Sequence, residues 1–148
     1  MDSKEFKVVF NEIAKSNDFK KAFGGWYKES AECIAVLELQ KSNFGIYYLL
    51  NIKIFINGVF GRFYTPSKDL VKSSMGHINE QINAKDFLDF DEPIDDNLRI
   101  AHLHDSFRDR ILPFTDITLS KAGIRKLADD GILFLPPAIK EELEKLIP

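Results

Sequence analysis

The stretch FGIYYLLNIKIFINGVFG, from Phe44 to Gly61, decides the fold because its side chains alternate in character. Every second residue is apolar, in the set Ile46, Tyr48, Leu50, Ile52, Ile54 and Ile56. The intervening set mixes aromatic, aliphatic, amide and cationic side chains: Tyr47, Leu49, Asn51, Lys53, Phe55 and Asn57. A period of two predicts a β-strand with one face in the core. The second face is either a solvated surface or a surface that binds something.

A partner strand is predicted over residues 33–41, where Cys33, Ala35, Leu37 and Leu39 are apolar. The turn-rich SNFG that follows predicts a hairpin. Both apolar sets share a face when paired residue numbers add to an odd number, for example Leu39 opposite Tyr48 and Leu37 opposite Leu50. A slip of one residue would expose six large side chains, each worth roughly 1.5–3 kcal/mol of burial. We therefore expect this core face to be strongly specified.

Apolar residues also recur at helical spacing near the N-terminus and over the last third of the chain. These patterns predict helices over residues 3–16, 98–112 and 120–130 and from Pro137 onward. Residues 26–30 and 77–82 are predicted as strands, and residues 58–75 and the acidic residues 86–96 as loops. We expect a single α+β domain over residues 1–148. It has a three- to four-stranded antiparallel sheet, with an N-terminal helix and C-terminal helices packed on one face.

Composition narrows the class of protein. The chain has 45% apolar and 29% charged residues and a net charge of −3, which favours a globular domain and argues against nucleic acid as the partner. Its single cysteine, Cys33, excludes an internal disulfide and a cysteine-type zinc site. We find no signal peptide and no apolar run long enough for a membrane span, so we expect a cytoplasmic protein without a membrane partner.

Motifs for chemistry are sparse. His102 and His104 flank Leu103 on a predicted helix, where residues two apart point about 200° from each other, so the two imidazoles cannot share a metal. Cys33 falls on the apolar face, which favours a buried, inert thiol. The sequence contains neither a nucleophile elbow nor a Gly-rich phosphate loop. We therefore predict no catalytic residue, metal or cofactor, and favour a non-enzymatic role while leaving enzyme activity open.

The second face of the sheet is the best candidate for binding, because aromatic and amide side chains on a rigid sheet suit partner contacts. Glu38 and Lys53 can pair across its strands. With the hairpin turn and the lone His77 before the edge strand, the predicted binding residues are Gln40, Lys41, Ser42, Tyr47, Asn51, Lys53 and His77.

Four segments occur in an order that resembles a bacterial family known as domain of unknown function 4304: FKKAFGGWYKES, LQKSNFGIYYLLNIKIFINGVF, HINEQI and ILPF. The resemblance runs from Phe6 to about Leu127, and Gln40-Lys41-Ser42 is its sharpest part. Gly76 and Asn79 stand where the family pattern has Cys and Arg. The resemblance implies an α+β fold, with no known reaction and no catalytic residues.

We expect a protein-binding module that contacts its partner through the sheet face or residues 58–75. An immunity-type protein, which masks a toxin encoded beside it, is one concrete form. The alternative is a small-molecule-binding protein or an enzyme with a pocket on the sheet face, near Gln40, Lys41, Tyr47, Lys53 and His77. A third reading is a homodimer formed through an exposed sheet edge.

Overall fold

The computed structural model describes residues 1–146 and contains a five-stranded antiparallel sheet whose strands follow one another in chain order. The strands are β1 (Lys20–Ala22), β2 (Gly25–Glu29), β3 (Cys33–Lys41), β4 (Tyr48–Ile56) and β5 (Ile78–Ile82). The expectation of three to four strands is wrong because it missed β1. That strand has three residues, two of them exposed lysines, so it shows no alternation.

The β3–β4 hairpin has the expected parity but a different register. Leu39 lies opposite Leu50 and Leu37 opposite Ile52, two residues from the predicted pairing. The turn is longer than predicted because Ile46 is not part of β4. Its backbone N–H donates to an Asp91 carboxylate oxygen (3.0 Å), and its carbonyl accepts from the N–H of Phe90 (2.7 Å). Ile46 was assigned to the core face and is instead 52% exposed.

Seven α-helices are described within residues 1–146: α1 (Ser3–Ser16), α2 (Lys68–Lys72), α3 (Lys85–Leu88), α4 (Asp96–Ser106), α5 (Leu112–Thr118), α6 (Lys121–Asp129) and α7 (Pro137–Leu146). Side chains cap two of these helices at their N-termini, since Asp2 accepts from the N–H of Glu5 (2.8 Å) and Ser120 from that of Gly123 (2.9 Å). The predicted helix from Pro137 onward is confirmed as far as Leu146, and its continuation to Ile147 lies outside the described residues. None of the described helices has the length and apolar character that a membrane span requires.

One large core joins α1 and the C-terminal helices to the predicted apolar face of the sheet. Phe10 of α1, Phe107 beyond α4 and Leu143 of α7 belong to this core, together with Leu37 and Ile52 of the central strands. The α+β class and the core face are therefore confirmed. Between α4 and α5 the chain makes a wider π-helical turn over Phe107–Ile111.

Residues 58–75 are not only a loop, because they contain α2 on the opposite face of the sheet. Leu70 and Val71 of α2 pack against Ile34, Val36 and Phe55 to form a second, smaller core. The N- and C-terminal helices pack on one face as predicted, but the prediction of residues 58–75 as a loop missed a helix on the other face. A helix of five residues is too short to show the apolar periodicity on which the prediction relied.

The acidic segment 86–96 is not wholly a surface loop either. It begins within α3, where Phe87 and Leu88 are buried. The buried guanidinium of Arg99 holds the segment by donating to the carbonyls of Phe87 (3.0 Å) and Asp89 (2.9 Å). The sequence prediction followed the many acidic residues of the segment and therefore missed the burial of Phe87 and Leu88.

Candidate functional site

The predicted binding residues of the hairpin turn lie together at one end of β3 and β4. The N–H of Ser42 donates to the carbonyl of Tyr47 (2.9 Å), and the Ser42 hydroxyl accepts from the N–H of Phe44 (3.0 Å). Tyr47 also forms an isolated antiparallel bridge with Asp89. Gln40 and Lys41 are exposed beside this turn. This end of the hairpin therefore faces solvent.

A row of three amides crosses the open part of the second face. Asn51 donates through Nδ2 to Oε1 of Gln40 (2.8 Å) and accepts at Oδ1 from Nε2 of Gln81 (2.8 Å). The row links β3, β4 and β5 side by side. Gln81 was not predicted, although its alternation with Ile78 and Ile82 placed it outside the core.

Lys53 is almost completely buried, with 2% of its surface exposed. Its ammonium lies 2.9 Å from an Oε of Glu38 and donates to the carbonyls of Val71 (2.7 Å) and Ser73 (2.6 Å). These contacts confirm the expected Glu38–Lys53 pair, with Lys72 also 3.5 Å from the carboxylate. An ammonium has three N–H donors, and here all three have partners inside the protein. Lys53 therefore links α2 to the sheet through hydrogen bonds.

His77 lies at the other end of β4. Its Nδ1 accepts from the N–H of Ile56 (2.9 Å), and its ring packs edge-on against Phe55, Phe60 and Tyr64 at centroid distances of 5.5, 5.9 and 4.9 Å. Burial lowers the pKa of His77 from 6.5 to about 4, so the imidazole is neutral at neutral pH.

The predicted residues do not form one site. Gln40 faces Leu49, whereas the N–H of His77 bonds the carbonyl of Ile54, five residues further along β4. That separation is roughly 16 Å of strand. Members of the predicted binding set line two separate clefts. Tyr47 lines one of about 290 Å³ and Asn51 and Lys53 line another of about 260 Å³.

Residues 57–64, here called the aromatic loop, carry a feature that the predicted site residues did not include. Phe60 and Phe63 are 56% and 84% exposed, and Arg62 between them is also exposed. The signal was present in the sequence as GVFGRFY, since phenylalanines beside glycines and an arginine fit neither a strand nor a helix. Exposed phenylalanines on one loop are typical of contact surfaces.

Two hydrogen bonds close the aromatic loop, one between backbone groups and one from a side chain. The N–H of Gly58 donates to the carbonyl of Arg62 (2.7 Å), and the hydroxyl of Tyr64 donates to the carbonyl of Val59 (3.0 Å). Phe60 has a φ of 59°, an unfavourable conformation for a residue with a side chain. Such strained conformations persist when the surrounding structure fixes them, and they cluster at functional sites.

The structure was also searched for a reactive thiol and for a metal site. Cys33 is buried, and desolvation raises the pKa of its thiol to about 12, which makes it a poor nucleophile. Within residues 1–146, no three side chains of the His, Cys, Asp or Glu types are grouped so that they could hold a metal ion.

Comparison with known proteins identifies a family over most of the chain. Residues 10–117 match the family model described as domain of unknown function, DUF4304. No curated protein and no solved structure matches the chain. The match agrees with the resemblance noted in the sequence.

Proposed function

We propose that this chain, which belongs to the DUF4304 family, is a non-enzymatic module that binds another protein through its aromatic loop. The observation that carries the proposal is the exposure of Phe60 and Phe63 on a loop whose backbone is held in a strained conformation. Aromatic residues and arginine are enriched at the centres of protein interfaces, and Arg62 lies between the two phenylalanines in the sequence.

The support beneath the loop strengthens the proposal. His77 packs on Phe60 and on Tyr64, and the N–H of Tyr64 donates to the side-chain oxygen of Asn57 (2.8 Å). Asn57 in turn donates to the carbonyl of Ala31 (3.2 Å). A loop that is already ordered loses little conformational entropy on binding, so a larger part of its contact energy becomes affinity.

An immunity-type protein is the concrete form that we favour. Such a protein needs only a small stable domain with an exposed contact surface, and the described residues offer a surface of that kind. A toxin gene next to the gene for this protein, and capture of the toxin by the tagged protein, would support this form.

The test compares two phenylalanines of equal exposure. Phe63 and Phe134 are both 84% exposed, but Phe134 lies in the loop between α6 and α7. Tagged wild type, Phe63→Ala and Phe134→Ala would be purified from the native cell. We expect one protein to co-purify with wild type and with Phe134→Ala but not with Phe63→Ala. Equal capture by both variants, or no captured protein with wild type, would contradict the proposal.

The second candidate is a small-molecule-binding protein or an enzyme with a pocket on the sheet face. The cleft of about 260 Å³ beside Asn51 and Lys53 supports it. A ligand at 100 times its dissociation constant would add about 2.7 kcal/mol to the free energy of unfolding. A thermal-shift screen of metabolites and nucleotides separates this candidate from the first, and Asn51→Ala is the variant that should abolish any shift.

A further inference from the structure

β5 forms one edge of the sheet, and the outward side of its backbone is open. The N–H of Ser42 donates to the carbonyl of Tyr47 in the register of the β3–β4 hairpin, so the odd-numbered residues of β4 bond β3. The even-numbered residues of β4 therefore bond the even-numbered residues of β5. This alternation leaves the N–H and C=O groups of Asn79 and Gln81 facing away from the sheet. Both residues are exposed, and no hydrogen bond within residues 1–146 reaches these four groups.

The opposite edge of the sheet is protected in ways that β5 is not. β1 has three residues, of which Lys20 and Lys21 are exposed. The N–H of Phe19, just before β1, donates to the carbonyl of Ala14 in α1 (3.0 Å). Short length, lysines and a covering helix are means by which proteins keep other strands away from an edge. β5 has five residues and contains neither lysine nor proline, so its edge is available to an added strand.

Glu80 determines which strand suits this edge. It is the only charged residue of β5, and its exposed side chain lies between Asn79 and Gln81. If a second copy of the chain paired antiparallel along the whole of β5, Glu80 would lie directly opposite its own counterpart. Like charges directly opposite each other on paired strands are destabilising, whereas opposite charges stabilise the pair. The edge therefore favours a strand with a lysine or arginine at that position over a second copy.

Negative charge continues beyond the end of β5. The cleft of about 290 Å³ begins directly after the strand, since residues 83–84 line it together with Asp89 and Asp91. Asp91 accepts from the N–H of Ile46 (3.0 Å) and Asp89 from that of Asp91 (2.9 Å), and these neutral donors do not cancel the two negative charges. The same lining contains one cation, Lys85. Electrostatic complementarity at this end thus also favours a cationic segment.

Apolar surface lies beside β5 on the second face of the sheet. Asn79 and Gln81 line the cleft of about 260 Å³ there together with Met75, which is 66% exposed. Side chains directly opposite each other on paired strands point to the same face. Two apolar residues opposite Asn79 and Gln81 would therefore lie beside Met75.

We propose that the edge of β5 binds an extended segment of another protein as a sixth, antiparallel strand, with a lysine or arginine opposite Glu80. The four open backbone groups supply affinity for any extended chain, and the charge of Glu80 selects among chains. No residue of β5 belongs to the aromatic loop. Binding at this edge is therefore a second interaction, which stands or fails separately from binding through that loop.

The test is a titration of the whole protein with a capped pentapeptide in which lysine lies between two valines, with threonine at each end. Backbone amide signals in NMR spectra report the binding. We expect saturable shifts centred on residues 78–82, with a dissociation constant on the order of 1 mM. The same peptide with N-methylated valines cannot donate to the edge and should bind about tenfold more weakly. Equal affinity of the two peptides, or no saturable shift with the first, would overturn the proposal.

A charge exchange tests the role of Glu80. A peptide with glutamate in place of the central lysine should bind wild type about fivefold more weakly, because a repulsion replaces an attraction across the strands. Glu80→Lys should reverse this order. Glu144→Lys makes the same change of charge at an exposed position of α7 and should keep the wild-type order. The same order in Glu80→Lys as in wild type would contradict the pairing opposite Glu80.

Two variants at one position test the open backbone. Gln81→Pro and Gln81→Ala lose the same side chain, but only the proline also removes the outward N–H, which no bond to β4 requires. The lysine peptide should bind Gln81→Pro about tenfold more weakly than Gln81→Ala. Equal affinities would contradict addition at the edge. A dimer in sedimentation that Gln81→Ala retains and Gln81→Pro loses would assign the edge to a second copy and overturn the proposal.

Discussion

Ile52 and Lys53 are neighbours on β4 and both are buried, but they face opposite sides of the sheet. Ile52 joins a large apolar core, whereas Lys53 bonds α2 through two carbonyls and pairs with Glu38. On the core face, the residues that β4 contributes are uniformly apolar. On the other face, α2 covers one part and leaves the amide row open. Alternation therefore assigns a residue to a face, but what covers that face depends on distant segments.

Loss of a core side chain should have the largest effect. Ile52→Ala should lower the free energy of unfolding by about 4 kcal/mol, because it leaves a cavity in a closely packed core. Leu49→Ala, on the half-exposed opposite face, should cost about 1 kcal/mol. Urea unfolding of the two variants measures the difference. Equal losses would mean that the two faces are not as unlike as the burial of their residues indicates.

Removal of the buried Lys53 ammonium should have the second-largest effect on the free energy of unfolding. Lys53→Met should cost about 3 kcal/mol, since it leaves two carbonyls without a donor and the Glu38 carboxylate with only the more distant Lys72. The double variant Lys53→Met/Glu38→Leu should regain part of this loss, because no unpaired carboxylate remains. A double-mutant cycle in urea measures the coupling. Additive losses would contradict an energetic coupling between Lys53 and Glu38.

The buried imidazole makes stability depend on pH. The pKa of His77 is about 4 in the folded protein and 6.5 ordinarily, so the unfolded chain binds the proton first as pH falls. The stability that the neutral imidazole contributes is fully present above pH 6.5. The free energy of unfolding should fall by about 3 kcal/mol as the pH is lowered from 6.5 to the folded pKa of about 4. Unfolding curves for wild type and His77→Asn between these limits measure it. Parallel pH profiles would contradict a neutral buried His77.

The amide row should have the smallest effect. Asn51→Ala should lower the free energy of unfolding by about 1 kcal/mol, because its two side-chain bonds lie on a partly solvated surface. Asn83→Ala, at an exposed amide just after β5, is the matched control and should change stability by less than about 0.5 kcal/mol. A loss at Asn51 as large as that at Ile52 would mean that the open face is as tightly packed as the core.

Long amphipathic segments could be predicted from the sequence, and short ones could not. α1 and β3 have the predicted bounds because each buries a repeated apolar set. The three-residue β1 and the five-residue α2 are stabilised by tertiary contacts, which local periodicity does not report. The exact register also escaped prediction, because the pairing of Ile46 and Tyr47 with residues 89–91 competes with extension of the hairpin.

The predicted binding residues lie in separate places, and their role in binding stays a prediction. Gln40 and Asn51 do touch, whereas His77 lies at the far end of the strand and supports the aromatic loop. Lys53 was expected to face a ligand, and its three donors instead bond within the protein. Side-chain identity gave no means of telling a lysine that faces solvent from one buried by a five-residue helix.

Photo-crosslinking tests the role of the aromatic loop most directly. A benzophenone amino acid would replace Phe63 in one variant and Phe134 in another, two positions of equal exposure. We predict that irradiation in the native cell yields one discrete protein adduct from position 63 and none of that mass from position 134. The same adducts from both positions, or none from position 63, would contradict binding through the aromatic loop.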